Sequence, residues 1–169
     1  MNRSERNIIF EIDNKPASEF YHNYFDCLGG VLGGEFPMMI FEDGESVPYI
    51  RAVIEVDCGP GNIKAAGDVK EGTTIQFAEA GRDEIIDGAR ESIETTVKNF
   101  TGRPEFLLVL SCAARKNILG TKTSLEYEAL KDAAPQIAGF YTYGEIGPLG
   151  PGKPSKFHNA TMITLLMGV

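Results

Sequence analysis

The period of the hydrophobic positions changes several times along the chain, and each change marks an element. NIIFEID (7–13) reads as a strand. Ala17, Phe20, Tyr21, Tyr24 and Leu28 then recur at helical spacing. Asp13 or Asn14 is placed to cap that helix, Pro16 falls in its first turn, and Gly29-Gly30 ends it. FPMMIFED (36–43), YIRAVIEVD (49–57), NIKAAGDV (62–69) and TTIQFAEA (73–80) are strand-like, and the breaks EDGESVP, CGPGN and KEG suit hairpins or a meander.

Helical periodicity returns over 82–100. Ile86, Ala89, Ile93, Val97 and Phe100 share one face, Asp87, Arg90, Glu91, Glu94 and Lys98 suit solvent, and Gly102 and Pro104 stop the run. EFLLVLSC (105–112), continuously apolar from Phe106 to Leu110, predicts a central strand buried on both faces. Thr123-Ser124-Leu125-Glu126 reads as a capping box opening a short helix that Pro135 ends. QIAGFYTYGEI (136–146) and FHNATMITLLM (157–167) close the chain as strands joined by GPLGPGKPSK. The order β-α-β-β-β-β-α-β-α-β-β predicts one α+β domain over 1–169, with three helices and a largely antiparallel sheet.

Composition narrows the classes. The 169 residues, 43% hydrophobic and 24% charged, suit one globular domain. A net charge of −8, with no basic cluster denser than Lys153 and Lys156, argues against nucleic acid and anionic membrane surfaces as partners. No apolar run approaches the ~20 residues that cross a bilayer. Cys27, Cys58 and Cys112 are odd in number, with no C-x-x-C pair, which predicts a reducing, cytoplasmic setting. No His/Cys set has metal spacing, so neither metal nor cofactor is expected. The glycines of GGVLGG (29–34) follow a helix rather than a strand, so they read as a turn and not as a phosphate loop.

Uncommon chemistry gathers near predicted strand ends. Cys112 and Arg115 sit where the 105–112 strand runs out. Tyr141, Tyr143 and Glu145 share one face of 136–146, and Glu145 meets either His158 or Asn159 according to register. Each residue also has a plain reading: Cys112 as core, Arg115 beside Lys116 as a solvated strand end, Glu145 as a turn residue, His158 as structural. Read as an enzyme, Cys112 is a thiol nucleophile, His158 its base and Glu145 or Asn159 the orienting group. Read as an interaction module, the β-rich block or the long helix binds a companion domain.

SCAAR (111–115), GFYTYGEIGP (139–148) and FHN-x-T (157–161), with EIDNKPASEFY (11–21), resemble the C-terminal domain of FIST proteins over essentially the whole chain. The resemblance implies an intracellular, mostly bacterial signal-transduction sensor that binds a small ligand, with amino acids or related metabolites as the class. It also implies two partners, an N-terminal FIST domain and a signalling output module. Nothing matching that N-terminal domain precedes residue 1, which implies an excised half or a split subunit. No catalytic residue carries over, and homo-oligomerisation is left open. On this reading Cys112, Arg115, Tyr141, Tyr143, Glu145, His158 and Asn159 form the ligand site. The Arg115 fork would hold a carboxylate, Glu145 an ammonium, and the tyrosine rings an apolar part.

Overall fold

The computed structural model describes residues 1–25, 36–44 and 47–169. Among these are four α-helices and thirteen strands, an α+β architecture whose ladders are antiparallel with one exception. Contacts gather into two compact units, Met1–Glu79 and Ala80–Val169.

The first unit holds β1 (Arg3–Glu5), β2 (Ile8–Ile12), β3 (Lys15–Pro16), α1 (Ala17–His22), β4 (Met38–Phe41), β5 (Tyr49–Arg51), β6 (Val53–Val56), β7 (Ile63–Ala65) and β8 (Thr74–Phe77). They form two small antiparallel sheets, one ordered β1-β2-β7-β6 with β3 beside β2, the other β5-β4-β8. Asp13 and Asn14, expected as helix caps, instead make a turn. Both have left-handed backbone, φ 51° and 60°, and they link the paired residues Ile12 and Lys15. That is the two-residue hairpin geometry Asp and Asn tolerate best after glycine. Pro16 becomes the N-cap of α1, with no side-chain cap bond. The helix ends at His22, so Tyr24, expected on its apolar stripe, lies in the turn that follows; Leu28, Cys27 and the glycine run 29–34 lie outside the described residues. Cys58 is disulfide-bonded, which removes the redox argument for a reducing compartment. Cys112 is the free cysteine among the described residues.

The second unit holds α2 (Arg82–Asn99), β9 (Pro104–Cys112), α3 (Ala113–Leu119), a 3-10 turn (Gly120–Lys122), α4 (Ser124–Leu130), β10 (Gln136–Thr142), β11 (Glu145–Pro148), β12 (Ser155–His158) and β13 (Met162–Gly168). β9 is central as expected, between β10, its parallel neighbour, and antiparallel β13. A parallel pair needs a crossover, and α3 and α4 supply it. The unexpected α3 puts Arg115 on a helix rather than at a strand end.

One face of β9 is deeply buried. Leu107, Val109, Leu166, Ile93 of α2 and Leu130 of α4 form its core. Phe106, Leu108 and Leu110 on the other face are only half-buried, so the strand is not enclosed on both sides as its apolar run suggested. Thr164 of β13 also bonds the hydroxyls of Ser92 (2.9 Å) and Thr96 (2.6 Å), a polar seam between helix and sheet.

Two expected strands are broken. Gly144, at φ +156°, interrupts 136–146, and a Cβ there would lie 2.4 Å from the Phe157 ring. Ala160, at φ 55°, interrupts 157–167. The outer halves become a separate hairpin, β11 with β12, in which Glu145 lies opposite His158.

Candidate functional site

Successive strand residues point to opposite faces of a sheet, so Ser111 and Cys112 at the end of β9 serve two polar clusters. Tyr141 pairs with Ser111 and Thr142 with Cys112, so β10 divides in the same way.

On the helix-covered face the centre is Glu126 of α4. Its carboxylate, 5% exposed, accepts Arg115 Nε at 2.8 Å, the Tyr141 hydroxyl at 3.2 Å and the Ser111 hydroxyl at 3.3 Å. Arg115 Nη2 also donates to the Ile85 carbonyl at 2.7 Å. Thr123 makes no side-chain cap bond, so Glu126 is turned inward and is not the capping-box partner the sequence suggested. Burial, reinforced by Glu126, pushes the Tyr141 phenol up to about 12, which keeps it a donor.

Ser111, Glu126 and Tyr141 form the polar end of a cavity of about 260 Å³ between α4 and β10, with Val109, Leu130 and Met162 among its apolar walls. The exposed rings of Tyr127 and Phe140 also line it. A larger cleft of about 500 Å³ between α2 and α4 is lined by Asp83, Asp87, Arg90 and Glu128. It lacks any buried polar group that could orient a ligand, so the smaller cavity is the better-built site.

On the other face Glu145, 2% exposed, accepts the hydroxyls of Thr142 (2.5 Å) and Thr161 (2.9 Å), and the Cys112 thiol donates to it. Thr161 Oγ1 also meets His158 Nδ1 at 2.5 Å, and His158 Nε2 lies 3.3 Å from the Gly147 carbonyl. Two arrangements close this chain with the same number of protons. An imidazolium donates to Thr161, which donates to a carboxylate. Alternatively a carboxylic acid donates to Thr161, which donates to a neutral imidazole. Asn159, 1% exposed, reaches the Tyr143 carbonyl only at 3.5 Å.

Burial holds the Glu145 carboxyl above its ordinary value of 4.5, against the hydroxyls that favour the anion. The folded state therefore keeps this proton more tightly than the unfolded chain does. Stability from that proton is full below 4.5 and is lost as pH climbs through the raised value. Glu145→Gln has no such proton to lose. Urea unfolding over a pH series should show the variant gaining on the parent as pH rises through that window. A variant that instead loses ground to the parent as pH rises would show that the threonines stabilise the anion more than burial penalises it.

The seven residues named from sequence therefore do not make one pocket. Arg115 and Tyr141 go to Glu126, while Cys112, Glu145 and His158 lie at the other cluster and Asn159 reaches the Tyr143 carbonyl instead. Tyr143, expected on the same face as both, is 92% exposed at the break between strands. The thiol-enzyme arrangement asks for a thiolate activated by imidazole. Burial, with the Glu145 charge adding, instead pushes the Cys112 thiol up. Glu126, Thr142 and Thr161 were missed. Thr123, Glu126, Tyr127 and Leu130 are spaced i, i+3, i+4, i+7, and a carboxylate within such an inward stripe was the available signal for Glu126. Among the described residues no His, Cys, Asp and Glu cluster could hold a metal.

The family model described as the FIST C domain matches residues 17–148. No match was found among curated proteins or among solved structures.

Proposed function

The chain belongs to the FIST C domain family, a sensory domain of signal transduction, and we propose that it reads a small metabolite in the cavity between α4 and β10. The observation that carries this is a buried carboxylate with spare capacity in the lining of a largely apolar cavity. A carboxylate offers about four acceptor positions; Glu126 receives Arg115 and Tyr141, and the Ser111 hydroxyl lies 3.3 Å from both oxygens but has one hydrogen to give, so three donors meet about four positions. A ligand ammonium or hydroxyl can take the remaining one.

Amino acids and related metabolites remain the proposed class, with the roles redistributed. Arg115 is committed to Glu126 and Ile85. The cation available to a ligand carboxylate is Lys116, exposed and held 5.3 Å over the Tyr141 ring. The ligand side chain would then occupy the apolar wall of Val109, Leu130 and Met162.

Sensing requires a ligand to favour one arrangement of sensor and output over another. A companion N-terminal FIST domain and an output module are the proposed recipients. The proposed cytoplasmic setting rests on the family alone. Among the described residues no helix is long and apolar enough to cross a membrane.

A thermal-shift screen of amino acids and their amine and carboxylate fragments tests the reading. A true ligand at a hundredfold excess over its dissociation constant stabilises by about 2.7 kcal/mol. The shift should vanish in Glu126→Gln and shrink in Lys116→Ala, whose residue lies outside the buried pair. A panel giving no shift, or shifts that neither variant changes, would exclude this cavity.

A further inference from the structure

A strand at the edge of a sheet exposes a row of unpaired amides and carbonyls, and proteins blunt such edges with lysine, proline, bulges or a covering element. Within its own span β10 carries no lysine, no proline and no bulge. Its register with β9 runs unbroken from Gln136 opposite Phe106 to Thr142 opposite Cys112, and among the described residues no strand pairs its other side. No charged residue occurs from Ala133 through Gly144. Four consecutive residues, Ala138 to Tyr141, are exposed, and Phe140 is 63% exposed. β13, the opposite edge, is blunted. Its ladder with β9 shifts between Met167 and Gly168, and Thr164 is tied to α2.

The sequence of this edge fits itself. If QIAGFYT is folded antiparallel on a copy of itself about Gly139, Ala138 falls opposite Phe140 and Ile137 opposite Tyr141. Ile137 with Tyr141 is an aromatic–β-branched pair, a favoured kind across strands, and the small Ala138 leaves room for the Phe140 ring. No like charges meet across the seam, although each copy carries −8 in total. Gly139 at the centre is required by the fold, since a Cβ there would lie 2.3 Å from the Val109 carbonyl oxygen. That bare position leaves room for the flanking rings of both copies.

We propose that β10 pairs antiparallel with β10 of a second copy of this chain, about a two-fold axis at Gly139, joining the two sheets into one. Such an interface is isologous and closes at the dimer. The edge borders the proposed ligand cavity, whose lining includes Ala138 and Phe140, but the pairing needs no ligand there and is tested without one.

Sedimentation velocity of the full chain over a dilution series tests this. The expected result is a reversible dimer. Phe140→Lys and Ala138→Lys should each weaken it about tenfold or more, since every substitution enters twice and sets like charges near the axis. Tyr24→Lys, which changes an equally exposed ring of the other unit, should leave it intact. A chain carrying both Ala138→Cys and Phe140→Cys should oxidise to a covalent dimer, because the two positions lie opposite each other across the seam. The proposal is overturned by a chain monomeric at every concentration, or by a dimer indifferent to both lysine variants. It is equally overturned by assemblies that grow past the dimer, the mark of β10 pairing with β13 instead.

Discussion

Arg115→Met is expected to destabilise the fold by about 3–5 kcal/mol, a large share of the total stability of a protein this size. The substitution keeps much of the side-chain volume and removes the charge, which leaves Glu126 with only hydroxyl donors. Both side chains of the pair are about 5–6% exposed, so little solvent is available to replace the guanidinium. The Ile85 carbonyl loses its Arg115 donor as well. Arg115→Met combined with Glu126→Leu should recover most of the loss, because a buried ion pair exchanged for apolar side chains of similar size is often near neutral. Urea denaturation of the two single variants and the double variant gives the coupling directly. A single-variant cost below about 1 kcal/mol would mean that water entering the cavity solvates Glu126 as well as Arg115 does.

Alkylation of Cys112 is expected to be slower than that of an unfolded-chain thiol by about a hundredfold or more. Two effects act together. The thiol is 4% exposed, so reaction waits on an opening, and an opening cost of roughly 3 kcal/mol already gives that factor. The thiolate is the reactive form, and burial together with the Glu145 charge makes it scarcer. Timed iodoacetamide labelling with mass spectrometry, native against urea-unfolded, measures the ratio at a single site. Fast labelling of the folded protein at mildly acid pH would restore the nucleophile reading.

The long elements were legible because each rests on a repeated local signal. α2 was expected at 82–100 and spans Arg82–Asn99, and β9 was expected at 105–112 and spans Pro104–Cys112. What the sequence hid were single-residue decisions. Gly144 lies inside QIAGFYTYGEI, where β-branched and aromatic neighbours favour continuation, yet its backbone angle ends one sheet and starts another. That one break separates Tyr141 from Glu145 and dissolves the face on which the expected site was built. Asp13 and Asn14 can cap a helix or turn a hairpin, and local preference does not choose between those uses. Ala113 to Leu119 carries too weak a periodicity to be called a helix apart from its packing. The site was legible as a neighbourhood, through Cys112, Arg115, Tyr141 and Glu145. It was not legible as a partnership, because Arg115 and Glu126 meet only after two helices fold back over β9.

Ser111 with Cys112, and Tyr141 with Thr142, have a mechanical consequence. Each pair sends one side chain to either polar cluster, so the shortest covalent route between the clusters is a single peptide bond, present twice in neighbouring strands. Sliding β10 along β9 would pull Tyr141 from Glu126 on one side of the sheet and Thr142 from Glu145 on the other. The two clusters can differ in chemistry, but they share one strand register and cannot be displaced separately by a shift of these strands.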